Sequence, residues 1–181
     1  MKRSMMQTVF LLVFLLYPLC AGASVIQEKV YDICKYGAKG DGKTLNTNAI
    51  NSAIEYCAEN GGGTVLIPKG TFLSGTIYLK DNISLVIRKG AVLKGTADVS
   101  QYKSYTPLGN LSMFDSGGDG ENANSAIDPH WNRALILGVG VSNISIEGEG
   151  IIDGNHVFDS EGEENMRGPH TIIIAESRNI L

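Results

Sequence analysis

The sequence predicts an all-β chain folded as a right-handed parallel β-helix whose N-terminal end is capped by one α-helix. Three observations carry this. One amphipathic helix comes early, with Ala49, Ile50, Ala53, Ile54 and Cys57 at the three-and-four spacing of a single buried face. After it Val65, Ile67, Phe72, Ile77 and Leu79 sit in short runs broken by Pro68, Gly70 and Gly75, too short for helices. The runs then repeat. Asn82-Ile83-Ser84-Leu85 leads to Gly90-Ala91-Val92-Leu93-Lys94-Gly95, Asn143-Ile144-Ser145-Ile146 leads to Gly150-Ile151-Ile152-Asp153-Gly154, and Asn179-Ile180-Leu181 begins a third copy.

Taken in order, the chain starts with a leader. Lys2 and Arg3, the apolar run Val9 to Leu16, and Ala21-Gly22-Ala23 have the charge, length and small-residue pattern of a signal peptide over 1–23, cut between Ala23 and Ser24. That run is too short to span a bilayer, and Tyr17-Pro18-Leu19 before Cys20 lacks the small residues of a lipoprotein site. A secreted or periplasmic protein is expected, with no membrane association once the leader is gone. Residues 24–181 then form part of a single domain, and loss of Lys2 and Arg3 takes the formal charge from -4 to -6. An acidic chain without basic clusters argues against nucleic acid as a partner.

Asn46 is placed to cap the helix at its N-terminus, and Gly61-Gly62-Gly63 ends it near Asn60. Cys34 and Cys57 form an even pair in an exported chain, so a disulfide from the first strand to the cap helix is a candidate; two buried thiols are the alternative. In each repeat the Asn stands at a turn, where it tolerates a left-handed backbone, and apolar residues alternate into the coil. Asparagines stacked in successive coils are expected to form a hydrogen-bonded ladder. Such units bury their apolar faces only against neighbours, so stability comes from stacking and from caps. A coil left open at Ile172, Ile174 and Ile180 is expected to fray or associate.

Several local patterns compete with this picture. Residues 37–44 fit the nucleotide-binding pattern G-x-x-x-x-G-K-S/T, but Asp41 would put a negative charge in a phosphate cradle and the helix starts later, at Asn46. Residues 115–126 resemble part of a calcium loop, with Gly117 and Ala126 where ligands belong. His156, Asp159, Glu161, Glu163 and Glu164 read as an acidic loop rather than a cation site. Asn82, Asn110 and Asn143 head N-x-S/T sequons, two of them within the repeated turn. Residues 97–133 interrupt the strand rhythm and read as an excursion from one coil. There Tyr102, Tyr105 and Trp131 offer flat apolar surfaces to sugars, and His130, Arg133 or Arg167 offer positive charge to carboxylates.

The blocks KYGAKGDGKT (36–44 with Lys35), AINSAIEYC, GGGTVLIPKG and GTIYL, followed in order by WNRALI, NISIEGEGIIDGN and RGPHTIIIAESRNI, resemble the polygalacturonases of glycoside hydrolase family 28 and their pectate-lyase-like superfamily. The resemblance covers nearly all of the chain beyond residue 28. It implies a pectic polysaccharide substrate, hydrolysis with inversion between a carboxylic acid and a carboxylate-activated water, no metal or organic cofactor, and a monomer when full length. Relatives place this chemistry in Asn-Thr-Asp, Asp-Asp, Gly-His-Gly and Arg-Ile-Lys motifs, none of which occurs in these 181 residues. No catalytic residue is therefore carried over, and Asp153 matches an earlier structural motif of the family. The expectation is an N-terminal portion, truncated at its C-terminal end and inactive alone. The alternatives are a calcium-dependent pectate-lyase-type eliminase and a non-catalytic polysaccharide-binding β-helix.

Overall fold

The computed structural model describes residues 29–109, 132–160 and 168–181. Three parallel sheets wrap a single core, and the chain visits them in a fixed cycle. β1 (Val30–Asp32) lies in the first sheet and β2 (Asp41–Leu45) in the second; α1 (Thr47–Glu59) then stands where a third-sheet strand would follow. β3 (Gly63–Ile67), β4 (Gly70–Ser74) and β5 (Ile77–Tyr78) make a coil of all three sheets. The next comprises β6 (Ile83–Ile87), β7 (Ala91–Gly95) and β9 (Arg133–Val139), with β8 (Lys103–Ser104) antiparallel on β9. β10 (Ser142–Glu147), β11 (Ile151–Asp153) and β12 (His170–Ala175) complete another, and β13 (Arg178–Ile180) reopens the first sheet. This is the parallel β-helix that the repeats predict.

Register explains the repeats. Val92 and Leu93 pair with Ile151 and Ile152, and Ser84 and Leu85 with Ser145 and Ile146. Alternate side chains point inward and stack in columns, so Ile77 lies beneath Ile136 and Ile172, and Phe72 beneath Leu93 and Ile152. Paired residues of the first two repeats are 61 apart in the first sheet (Ser84 and Ser145) but 59 apart in the second (Val92 and Ile151), so the second copy is two residues shorter between them, a difference taken up where the chain turns from one sheet to the next.

The helix seals the first coils. Ile50, Ala53, Ile54 and Cys57 are buried against the coil end, while Ala49 is half-buried. Asn46 holds the N-cap position, but its side chain makes no hydrogen bond to the helix. It is instead 1% exposed and ties the coil together. Its amide donates to the carbonyls of Thr44 (2.7 Å) and Lys39 (3.1 Å), and its Oδ1 accepts from the Lys39 amide at 2.6 Å. A buried amide goes where it can be fully satisfied, and here that is the coil backbone.

The candidate disulfide is absent. Cys34 and Cys57 are free thiols, Cys34 exposed and Cys57 buried. In the short 3₁₀ helix Ile33–Tyr36 it is Ile33 that enters the core, which turns its neighbour Cys34 outward. Burial pushes the Cys57 thiol up to about 11.

The asparagine ladder is present. Asn82, Asn143 and Asn179 all adopt left-handed φ values, 59°, 56° and 55°. Asn143 Nδ2 donates to Asn82 Oδ1 and Asn179 Nδ2 to Asn143 Oδ1, both at 2.9 Å. The hydroxyls of Ser145 and Ser84 bond alongside at 2.8 Å. Gly62 begins the column with a φ of 88°, and a Cβ there would strike the carbonyl of Asn82. This column pins the turn between the third and first sheets.

Candidate functional site

Both long excursions leave the coil at one corner, between the second and third sheets. One separates β7 from β9 and the other separates β11 from β12. The described ends of both excursions therefore lie at the same corner of consecutive coils, where loops commonly carry binding residues. The described parts show how these segments are anchored.

Arg133 opens β9 just after the first excursion, and Asp159 lies in the second. Their side chains pair at 2.8 Å, 16% and 9% exposed. A pair this shielded ties the start of the second excursion to β9, and it gives Arg133 a protein carboxylate rather than a free one from a substrate. Tyr102 is also structural: it is 4% exposed and its hydroxyl donates to the Thr96 carbonyl at 2.7 Å. Burial pushes its phenol up to about 12, helped by the nearby Asp153. Its hydroxyl packs over Gly95, where a Cβ would collide with it. Tyr105 is half-buried, and its phenol is raised by burial and then by Glu176.

Glu176 was not legible in the sequence. It sits at the turn after β12 with a left-handed φ of 52°, and its two carboxylate oxygens accept from the backbone amides of Leu108 (2.6 Å) and Gly109 (2.7 Å). One side chain thus straps the first excursion across the third sheet. Its partners are 68 and 67 residues away, so no local motif announces it.

The remaining carboxylates here are engaged as well. Asp153 Oδ1 accepts from the Asn155 amide at 2.8 Å, and its other oxygen lies 3.9 Å from Lys94 Nζ. Asp153 thus shapes a turn, in keeping with the structural role the sequence gives it. Of the suggested cation cluster, His156 is exposed and Asp159 is paired with Arg133. Among the described residues no group of His, Cys, Asp and Glu is placed to hold a metal ion. His130, Trp131, Arg167, Glu161, Glu163, Glu164, Asn110, the stretch 115–126 and the leader with Ala23 and Ser24 lie outside the described residues. What the described corner does is hold the described ends of the two loops in place.

The nucleotide-binding pattern at 37–44 does not build a phosphate cradle. Asp41 Oδ1 accepts from the amides of Lys43 (2.9 Å) and Thr44 (2.8 Å), and Oδ2 takes the Thr44 hydroxyl at 2.7 Å. These bonds occupy the donors a phosphate would need and hold the Asp41 carboxyl down at about 2. The segment runs from the end of the 3₁₀ helix at Gly37 into strand β2, and the helix α1 begins only at Thr47.

Comparison with known proteins decides the family. The family model for "Rhamnogalacturonase A/epimerase, pectate lyase-like" matches residues 30–173. The chain belongs to that family. The exo-poly-alpha-D-galacturonosidase of Dickeya chrysanthemi is 38% identical over 128 residues, covering 70% of this chain and 20% of the relative. Among solved structures, the family 28 exopolygalacturonase of Yersinia enterocolitica matches with a TM-score of 0.57 at 30% identity, over 75% of this chain and 22% of that one. A putative glycosyl hydrolase from Parabacteroides merdae matches with a TM-score of 0.63 at 28% identity, over 84% of this chain and 61% of that one. The likeness to polygalacturonases is thus borne out. The chain spans about a fifth of the length of its first curated relative.

Proposed function

We propose that this chain is the N-terminal portion of an exported glycoside hydrolase that cleaves polygalacturonate or a related pectin. In this role α1 closes the core and the asparagine ladder fixes coil register. The coils are thereby a rigid base on which further coils present substrate and catalytic carboxylates. The chemistry is inverting hydrolysis, one carboxylic acid protonating the leaving oxygen and a carboxylate activating water on the opposite face. The catalytic motifs lie beyond residue 181 in this proposal, and no described carboxylate is given a catalytic role. The full-length enzyme is a secreted or periplasmic monomer acting on pectic polysaccharide. One observation supports this above others: the family match runs in order over residues 30–173 of a stack whose coils are in register.

The test compares two purified proteins, residues 24–181 and a form extended by the coding sequence downstream. The extended form is expected to release reducing ends from polygalacturonate, and the shorter one none above buffer. Turnover by the shorter form would return attention to Asp153 and Asp159. Unsaturated products absorbing in the ultraviolet would instead indicate an eliminase, and retention of pectin without any cleavage would indicate a binding protein.

A further inference from the structure

The chain is acidic overall, with 15 Lys and Arg against 19 Asp and Glu, yet the corner between its first and second sheets is basic. The first three coils each turn that corner on a Lys-Gly step: Lys39-Gly40, Lys69-Gly70 and Lys89-Gly90. Stacking brings these steps together. The Thr71 amide donates to the Gly40 carbonyl and the Gly70 amide to the Gly90 carbonyl, both at 3.1 Å. Lys69 is thereby set opposite Lys39 on one side, at the roughly 4.8 Å step of neighbouring strands, and opposite Gly90 on the other, with Lys89 one position before it.

The row is built into the backbone. Gly90 has a φ of 81°, and the stem of Lys69 passes over it, with Cγ 3.4 Å from where a Cβ would stand. Lys39 is gripped on both its amide and its carbonyl by the buried Asn46. Lys43 and Arg88 flank the row, and all five basic residues are exposed. Two carboxylates stand nearby. Asp41 is folded onto its own strand, and Glu149, at the same corner of the next coil, pairs with Lys89 at 3.4 Å. Glu149 reverses the sign of the corner, so the basic row spans three coils.

We propose that this row docks a polyuronate chain. Such a polymer offers one carboxylate per sugar ring along an extended strand, which flexible lysine stems gathered at one corner can reach as point charges. Each exposed pair is weak, but several on one strand act together. A rigid duplex would carry its phosphates past the row along the acidic remainder of the surface, whereas a single flexible uronate strand can leave the surface at either end of the row. Choosing a uronate polymer as the occupant rests on the function proposed above.

The test is affinity electrophoresis of the full chain through gels containing polygalacturonate, fully methyl-esterified pectin or duplex DNA. The unsubstituted chain should be retarded by polygalacturonate, released by added salt, and unaffected by the ester. Lys39→Gln/Lys69→Gln/Lys89→Gln should bind about tenfold more weakly. Lys80→Gln/Lys103→Gln/Arg178→Gln removes the same charge elsewhere and should bind as the unsubstituted chain does. Melting curves establish that each variant is folded, and Lys69→Gln alone, with about a twofold loss, serves if the triple variant is not. Equal loss in both triple variants, no loss in the first, or tighter binding of DNA would overturn the proposal. Because the readout is binding, it is separate from reducing-end release by the extended form, which tests the hydrolase itself.

Discussion

At the capped end of the stack Ile77 and Ile83 are 0% and 1% exposed, whereas Ile172 and Ile180, farther along the same inward columns, are 40% and 42% exposed. The middle members, Ile136 and Ile144, are 0% and 2% exposed. Residue type and direction are constant along each column, so the difference comes from what lies above. Near β3 to β6 that is α1 and a neighbouring coil. Beyond β12 and β13 it is an open recess of about 410 Å³ lined by Ile144, Ile180 and Leu181 among others. In a solenoid burial belongs to the stack rather than to the residue.

The sharpest way to break this comparison is within one column. Ile136→Ala should cost about 2–5 kcal/mol in urea unfolding, because it empties a closed site. Ile172→Ala should cost about 1 kcal/mol or less. Amides of residues 170–181 should also exchange faster than those of 65–87. Equal costs at the two positions, or uniformly slow exchange, would mean that the far end is closed in solution.

The ladder offers the same contrast on a smaller scale. Asn143 bonds to both neighbours, while Asn179 bonds to Asn143. Asn143→Ala should therefore lose about 2 kcal/mol, from two side-chain bonds and a left-handed backbone that alanine resists. Asn179→Ala should lose about 1 kcal/mol. Asn143→Gly relieves the backbone but not the ladder, so its cost should fall between the two.

Smaller again is the acid limb of stability. Asp41 titrates at about 2 in the folded chain, against roughly 3.9 unfolded. A depressed carboxyl stabilises the fold above its unfolded value, and that contribution is lost as pH falls through its folded one. Chemical denaturation between pH 5 and pH 2 should thus show a shallower decline for Asp41→Asn. An unchanged slope would mean that the Asp41 loop is not formed in solution.

The smallest effect concerns the thiols, where burial alone separates the pair. Under native conditions a maleimide should label Cys34 and leave Cys57 unlabelled, as read by intact mass. Labelling of neither residue, with recovery on reduction, would restore the disulfide. Equal labelling of both would show that α1 does not stay seated.

Much of this was legible because a β-helix repeats locally. The apolar face of α1, the Asn-Ile-Ser copies and the inward columns are each written within a few residues, and left-handed asparagines announce turns by their type. The Lys-Gly steps were equally visible, but they become a row only when strands are aligned. Other features were beyond local reading because their partners are distant in the chain. Asn46 looked like a helix cap, since that role needs only three neighbouring residues; its true partners include the carbonyls of Lys39 and Thr44. Arg133 looked available to a substrate until the second excursion brought Asp159 to it.

The sequence by itself thus determined the fold class, the position of the cap and the ladder, because period, turn chemistry and helix face are local properties of the chain. Only the tertiary structure decided which polar side chains are engaged: Asn46 in the coil, Asp159 on Arg133, Glu176 on the Leu108 and Gly109 amides, and Asp41 on its own strand. The physical reason is that a buried or paired polar group takes whichever partner stacking brings within reach, and stacking joins residues by coil position rather than by distance along the chain.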